Sequence, residues 1–424
     1  MTTASTNTQA ASSVSMRMLM PWIVGAIVLL VLPIFFGGRS QLTIMSQMSI
    51  TVVFALAYNM LLGQGGMLSF GHAVYMGMGS FLCLHVMNMS SFGSFPLPLL
   101  PLLGGVFGLL FAIIIGSFST RSAGTVFAMI SLGIGELMAA LVLIVTVFFG
   151  GEEGISGYRD EGLPFFGIEF ISNLEVYYLI AIWMFIAVAL MYLFSRTPVG
   201  RMANAVRDNP ERAEFLGYSA RRVRFVSFAV SGFFCGVAGG LSAILFEIAT
   251  ESDLNVTASG VILLVAFLGG IGFFWGPIIG AVVFTLLQTV LGLQTHLWEL
   301  YLGVVFVGMV MFFPAGLSGI IMAHVPAAKM GKLGTLVGPY LTCVLPGILG
   351  GLGLAALIEM IFHVRSGAEG EHHMVLFWID FSTHDVLPWL VALAVAVIGI
   401  GLAVRNAPNF KAAWENASTL PEAA

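Results

Sequence analysis

The chain has 424 residues, 58% of them hydrophobic and only 9% charged, with a mean hydropathy of +1.00 and a formal net charge of -5. A soluble domain carries about 25% charged residues, so a water-soluble core does not account for this composition and the chain is read as integral to a membrane. The negative charge argues against nucleic-acid binding, and the three cysteines (Cys83, Cys235 and Cys343) show neither metal spacing nor a disulfide framework.

In chain order, residues 1–17 are Ser/Thr/Ala-rich and read as a disordered cytoplasmic tail. The run Leu19 to Gly37 is about as long as the ~20 residues a spanning helix needs and lacks an Ala-x-Ala cleavage site, so it is read as the first membrane helix rather than a signal peptide. Further apolar runs predict helices near 42–62, 66–88, 96–116, 125–149, 174–194 and 225–249. The stretch 260–314 is broken by "GGIGFFWGP" (269–277) and "LQTHLWE" (293–299), and fits three short crossings or one crossing plus a re-entrant pair. Two more runs, 335–361 and 386–404, follow a Lys/Pro/Ala linker. The expectation is an all-α polytopic protein with about 10 core transmembrane helices plus about 2 C-terminal ones. The divisions expected are a tail (1–17), a core (18–322) and an extension (323–424).

Arginine placement orients the chain. Seven of the 16 Lys and Arg residues fall between Arg196 and Arg224, which puts that loop in the cytoplasm. The loop 150–173 has Arg159 against five acids and belongs outside, which places both termini in the cytoplasm. The outside loop bearing "EGEHHM" (369–374) contains His372 and His373, but a metal site there needs further ligands.

Three segments carry the functional argument. In the cytoplasmic loop, Asn209 is an N-cap acceptor, Pro210 fixes the first helical φ, Glu211 suits the positive helix end, and Gly217 suits a left-handed C-cap. The two-turn helix expected over 210–216 has Arg212 and Glu214 on it, and Ala213, Phe215 and Leu216 as a small apolar face. Isolated helices below ~12 residues are marginal in water, so something must pack on it. It is either part of a solvated basic loop that sets topology or a docking element.

"GQGGMLSFGHAVYMGMG" (63–79) is glycine-rich inside an apolar run. Its small residues Gly71, Ala73, Gly77 and Gly79 suit close helix packing. Alternatively it is a bent segment along a translocation path, since irregular backbone at membrane depth must be covered by protein or line a cavity. Gln64, Ser69 and His72 are then candidate polar contacts, and freed amides would meet a solute carboxylate. Glu136 is the one acid near the centre of its helix; it is costly in lipid and is expected to face the bundle, a cavity or a partner helix. Ser131, five residues earlier, need not share its face. Gly269, Gly270, Gly272 and Pro277 predict a break that is either a gate or a corner.

"GRMANAVRDNPERAEFLGYSARRVRFVSFAVSGFFCGVAGGL" resembles the cytoplasmic loop and following helix of branched-chain amino-acid ABC importer permeases. "NMLLGQGGMLSFGHAVYMGMGSF" resembles their N-terminal signature through Asn59, Gly63, Gly66, Ser69, Gly71, His72, Ala73, Gly77 and Gly79. "FLGGIGFFWGPIIGA" and "FFPAGLSGII" resemble their late Gly-Pro motif and the domain's close. The resemblance covers about 18–322 and not 325–424.

It implies a non-enzymatic permease subunit of a bacterial inner-membrane importer, paired with a second related permease. Two cytoplasmic ATPases using ATP and Mg would hold the helix of residues 209–217, and an external binding protein would deliver the solute. No Walker motif occurs here, so hydrolysis is expected in those ATPases, with no cofactor bound by this chain. The expected solute is a branched-chain or other hydrophobic amino acid; urea, short amides or aromatic acids are the alternative. A secondary carrier is weighed against by the single central acid. An intramembrane protease is weighed against by the lack of an activating partner near Ser69 and His72.

Overall fold

A computed structural model describes residues 7–89, 93, 95–165, 167–366, 373–376 and 379–418, with side chains from residue 19 to 417. The described residues are mostly helical. Among the described residues, nine helices are long and apolar enough to cross a membrane, or ten if Trp298–Phe312 and Gly316–Lys329 form one bent span. Two shorter apolar helices, Leu19–Phe35 and Ala73–Met87, add to these. The chain is therefore all-α and polytopic. It divides into two compact units, one of residues 1–289 with 306–317, the other of residues 290–305 with 318–424.

In the first unit, α1 (Asn7–Phe35) begins ahead of the apolar run Leu19 to Gly37. Residues 1–6 lie outside the described residues. Pro33 inside α1 has no N–H, which leaves the Leu29 carbonyl without its usual donor. In an apolar surrounding that carbonyl needs another partner, and Tyr177 Oη of α7 (Asn173–Arg196) donates to it at 2.9 Å.

α2 (Arg39–Asn59) passes into a five-residue π-helical turn, Met60–Gln64, and the chain is irregular until α3 (Ala73–Met87). α4 (Leu100–Ser119), α5 (Gly124–Ile144) and the short α6 (Thr146–Phe149) follow. After α7 come α8 (Pro198–Asp208), α9 (Pro210–Phe215) and α10 (Ala220–Phe246). α11 (Val256–Gly269), α12 (Gly276–Gln294) and α13 (Trp298–Phe312) resolve the stretch 260–314 into three separate helices.

The bundle centre is a backbone-to-backbone meeting of α3, α4 and α10. A Cβ on Gly79 would lie 2.8 Å from the Gly236 carbonyl oxygen, and one on Gly108 would lie 2.7 Å from Gly236 Cα. The glycines of "GGVFG" and "GFFCGVAGG" thus allow three helices to approach closer than side chains permit.

At one end of α10, β1 (Ile155–Ser156) pairs antiparallel with β2 (Ile248–Ala249). Arg159 fixes this end: its backbone N–H donates to Glu247 Oε1 at 2.9 Å, and its guanidinium to the carbonyls of Ile244 (3.1 Å) and Phe170 (3.2 Å). Asn88 Nδ2, just past α3, donates to the Ser156 carbonyl at 2.8 Å, so α3 and α10 end together.

The second unit contains α14 (Gly316–Lys329, from residue 318), α15 (Leu333–Pro339), α16 (Leu345–Ser366) and α17 (Val386–Ser418), with a π turn (Tyr340–Val344) joining α15 to α16. Glu359 of α16 is buried and accepts hydrogen bonds from Thr295 Oγ1 (2.5 Å) and Tyr301 Oη (2.8 Å). The hairpin β3 (His373–Leu376) and β4 (Ile379–Ser382) carries His373, whose Nδ1 is 3.4 Å from Asp380 Oδ1. His372 and most of "EGEHHM" lie outside the described residues. Among the described residues no three potential metal ligands gather.

Candidate functional site

The site is built where the π turn and the irregular stretch 65–72 leave backbone groups without helical partners. Such groups need compensation away from water, and side chains from four elements supply it. Ser131 Oγ of α5 accepts from Phe70 N–H at 3.0 Å, and Ser259 Oγ of α11 accepts from Ala73 N–H at 3.0 Å. Tyr58 Oη of α2 donates to the Ser69 carbonyl at 3.0 Å. Arg207 Nη1 of α8 donates to the Gly63 carbonyl. The amides of Phe70 and Ala73 are therefore occupied within the protein, and the expectation that freed amides there meet a solute carboxylate is not met by these two.

Gly63 is the meeting point. A side chain there would strike the Ile271 carbonyl and the Asn59 side chain, and one on Gly66 would lie 2.6 Å from Arg207 Cγ. The first glycine motif, the corner 270–275 and the polar loop's first helix thus share one contact. Gly66 has φ +65°, a conformation open to glycine and strained for other residues. The corner packs without slack: a Cβ on Gly269 would meet the Gly276 backbone, and Gly270 has φ +108°. Pro277 sits in the first turn of α12, where its missing N–H costs nothing, and Gly272 is exposed with open space around it. The predicted break is a corner between two helices.

His72 is fully buried, ringed by Phe54, Tyr58, Tyr75 and Phe228. Its Nε2 lies 2.8 Å from Ser231 Oγ, and Ser231 Oγ donates its one proton to the Ala57 carbonyl at 2.5 Å. Ser231 must therefore accept from His72, which places the ring proton on Nε2 and leaves Nδ1 as the acceptor of the neutral ring. Nδ1 is buried with no partner among the described residues, as are Asn59 Oδ1, Gln64 Oε1 and Ser69 Oγ. These four atoms fall within fourteen residues, from Asn59 to His72. Ser231 lies about 16 Å along α10 from Ala220. The irregular segment therefore climbs from the polar-loop end to the middle of that helix.

Ser131 and Glu136 face apart, as the helical period requires: Ser131 is buried against the irregular segment, whereas Glu136 is exposed on α5. Glu136 does not face the bundle of this chain, contrary to one of the sequence expectations. Gly71 and Gly77 are packing positions, the first against the Ser131 carbonyl and the second against Leu254.

In the polar loop, Asn209 Oδ1 accepts from Arg212 N–H at 2.9 Å, capping α9. Pro210 opens the helix, Leu216 closes it, and Gly217 has φ +87°. Glu211 and Glu214 are exposed. Ala213 is buried in a cluster with Ala203 and Val206 of α8 and Ala220 and Val223 of α10. Phe215 and Leu216 point the other way and are 91% and 67% exposed. The single apolar face expected of Ala213, Phe215 and Leu216 is thus divided: Phe215, two residues on from Ala213, is turned by about 200°, and Leu216 lies past the last helical residue. Arg207 was read from the sequence only as part of the topology signal; nothing in its spacing sets it apart from the six other arginines of the loop.

Residues 40–315 match the family model described as branched-chain amino acid transport system / permease component. The chain is 25% identical over 318 residues to the high-affinity branched-chain amino acid transport system permease protein LivM of Escherichia coli (strain K12), covering 70% of this chain and 74% of that protein. It is 26% identical over 286 residues to the ribose import permease protein RbsC of Haemophilus influenzae, covering 63% and 82%. It is 24% identical over 223 residues to the probable branched-chain amino acid transport permease protein LivH of Methanocaldococcus jannaschii, covering 51% and 68%. No solved structure matches the chain.

Proposed function

The chain belongs to the branched-chain amino acid transport permease family, as a multi-pass ABC-importer subunit of the inner membrane, and on that premise we propose that it lines half of a solute path and gates it through Gly63. Two cytoplasmic ATPases, using ATP and Mg that this chain does not itself bind, hold α9 by its exposed Phe215 and Leu216. Residues 209–217 form the coupling element, with the N- and C-termini on the same cytoplasmic side. Ala213 seats α9 on α8, and Arg207 of α8 holds the Gly63 carbonyl, so a shift of α9 reaches the irregular segment directly. A second, related permease faces Glu136 of α5, whose exposed carboxylate is costly in lipid and is covered by that partner or by the path. An external binding protein delivers the solute to the end carrying β1 and β2.

The observation that carries this reading is the shared contact at Gly63 of the polar loop, the 63–72 segment and the 270–275 corner. Gln64, Ser69, His72 and Ser131 lie along the path, with Gly269, Gly270, Gly272 and Pro277 as the fixed corner against which it moves. The orphaned atoms Asn59 Oδ1, Gln64 Oε1 and His72 Nδ1 are all acceptors. They suit a solute that brings N–H donors: the ammonium of a branched-chain or other hydrophobic amino acid, or, as the second choice, urea or a short amide. That relatives of similar identity are named for amino acids and for ribose leaves the solute to this chemistry.

The test is reconstitution of the complex in vesicles with Arg207→Gln. ATP hydrolysis persists while uptake of radiolabelled leucine falls about tenfold or more, the result expected when the link and not the assembly is cut. Parallel loss of hydrolysis and uptake overturns the lever. Uptake driven by an ion gradient without ATP overturns the importer reading itself.

A further inference from the structure

A second feature of the first unit has no part in the path. α1, α2, α7 and α12 enclose an apolar groove of about 730 Å³, walled by Trp22, Gly25, Met45, Met48, Phe185 and Trp275 among others. It extends along α1 from Pro21 to Phe36, about 20 Å at 1.5 Å per residue. That exceeds the roughly 15 Å of hydrocarbon in one leaflet, half of a ~30 Å core. The length and the apolar lining suit hydrocarbon chains.

The wall is mostly apolar and, among the described residues, carries no charged side chain. Gln41 Oε1 already accepts from Gly38 N–H at 3.2 Å, and Ser49 Oγ donates to the Met45 carbonyl at 2.9 Å. The Gln41 carbonyl oxygen and the Ser49 proton are thus used internally. Val28 also lines it and is 47% exposed, so the groove opens sideways.

One end of the groove is built differently. Trp22 packs edge-on against Phe185 and Tyr192, with Trp275 and Phe274 closing the same cluster. Arg196 caps it: its guanidinium lies 4.9 Å from the Tyr192 ring centroid, and Nη2 donates to Tyr192 Oη at 2.6 Å. Arg196 is exposed and opens the seven-arginine loop. Aromatic rings with an adjoining cation are what the boundary between hydrocarbon and headgroups selects.

We propose that this groove is a phospholipid site, with acyl chain between α1, α2, α7 and α12 and an anionic phosphate headgroup at Arg196. The lipid fills the space between α1 and the bundle.

The experiment is native mass spectrometry of the full chain in mild detergent, titrated with phosphatidylglycerol or phosphatidylcholine. Two variants are compared with the native chain: Gly25→Trp, whose Cβ enters open space, and Arg196→Gln. The native chain retains phosphatidylglycerol at activation energies that strip other lipid, and Gly25→Trp loses this adduct. Arg196→Gln keeps lipid but lowers the preference for the anionic headgroup about fivefold, the effect of one basic residue at a charged surface. Equal retention by the native chain and Gly25→Trp overturns the site. An unchanged headgroup preference in Arg196→Gln overturns the role of Arg196, and displacement of the adduct by leucine makes the groove a solute site instead. If Gly25→Trp fails to insert, Val28→Trp, at an exposed lining position, takes its place in the same titration with the same outcomes.

Discussion

Ser131 shows how much a single hydroxyl holds in this molecule. It receives the Phe70 amide and passes its own proton to the Ala128 carbonyl at 2.8 Å. Ser131→Ala leaves the Phe70 amide bare in an apolar setting, at a cost of about 1–3 kcal/mol. A lowered thermal midpoint of the purified protein checks this; an unchanged midpoint means that water or a relaxed backbone serves instead. The residue-scale features divide sharply by legibility. The sequence pointed to Ser69, His72 and Gln64 because polar groups in an apolar run are conspicuous. It did not point to Ser231 or Ser259, since a serine within a helix such as "FAVSGFF" is ordinary. It did not point to Arg207, because a bond between residues 144 positions apart has no local trace.

At the scale of elements, α9 is the most legible piece and also the one whose orientation was misread. Asn-Pro predicts a helix start through local chemistry alone, and Asn209 and Pro210 are where that rule puts them. Which side chains turn inward depends on α8, which the sequence does not separate from its neighbours. Since Phe215 and Leu216 contact little within this chain, Phe215→Ala with Leu216→Ala changes stability by no more than about 0.5 kcal/mol. Losing both weakens ATPase binding by about 2 kcal/mol or more if they anchor the interface. Co-purification of the ATPases with this double variant, set beside its thermal midpoint, measures both. Retained binding removes α9 as the docking element. The helix α3 was expected from residue 66 but begins at Ala73. Apolar character alone cannot tell a helix from a buried irregular segment whose amides are satisfied by hydroxyls of distant helices.

For the whole molecule, the pattern of apolar runs was enough to predict an all-α membrane protein, and the described helices agree with it. The packing centre was visible only in part: glycine spacing showed that helices could approach, not which ones. The structure names α3, α4 and α10. Gly236→Leu forces a side chain into the Gly104 backbone, an overpacking expected to cost about 3 kcal/mol or more. Failure to recover folded protein, against normal recovery of Gly303→Leu, where a Cβ meets open space, is the outcome to look for. Equal recovery of the two shows that the three helices can separate without penalty.

α10 has one further implication. Its 27 residues make a rod of about 40 Å. One end is riveted by Arg159 to the loop of β1, and the other is clasped through Ala220 and Val223 to α9. On the proposed docking of an ATPase at α9 and a binding protein at the β1 loop, such a rod is a route for coupling the two, and linkage makes any coupling reciprocal. The factor by which a protein seated on the β1 loop tightens an ATPase on α9, without nucleotide turnover, equals the factor by which that ATPase tightens the seated protein. Two titrations close the square, and Arg159→Ala, which loosens one rivet, brings both factors toward one.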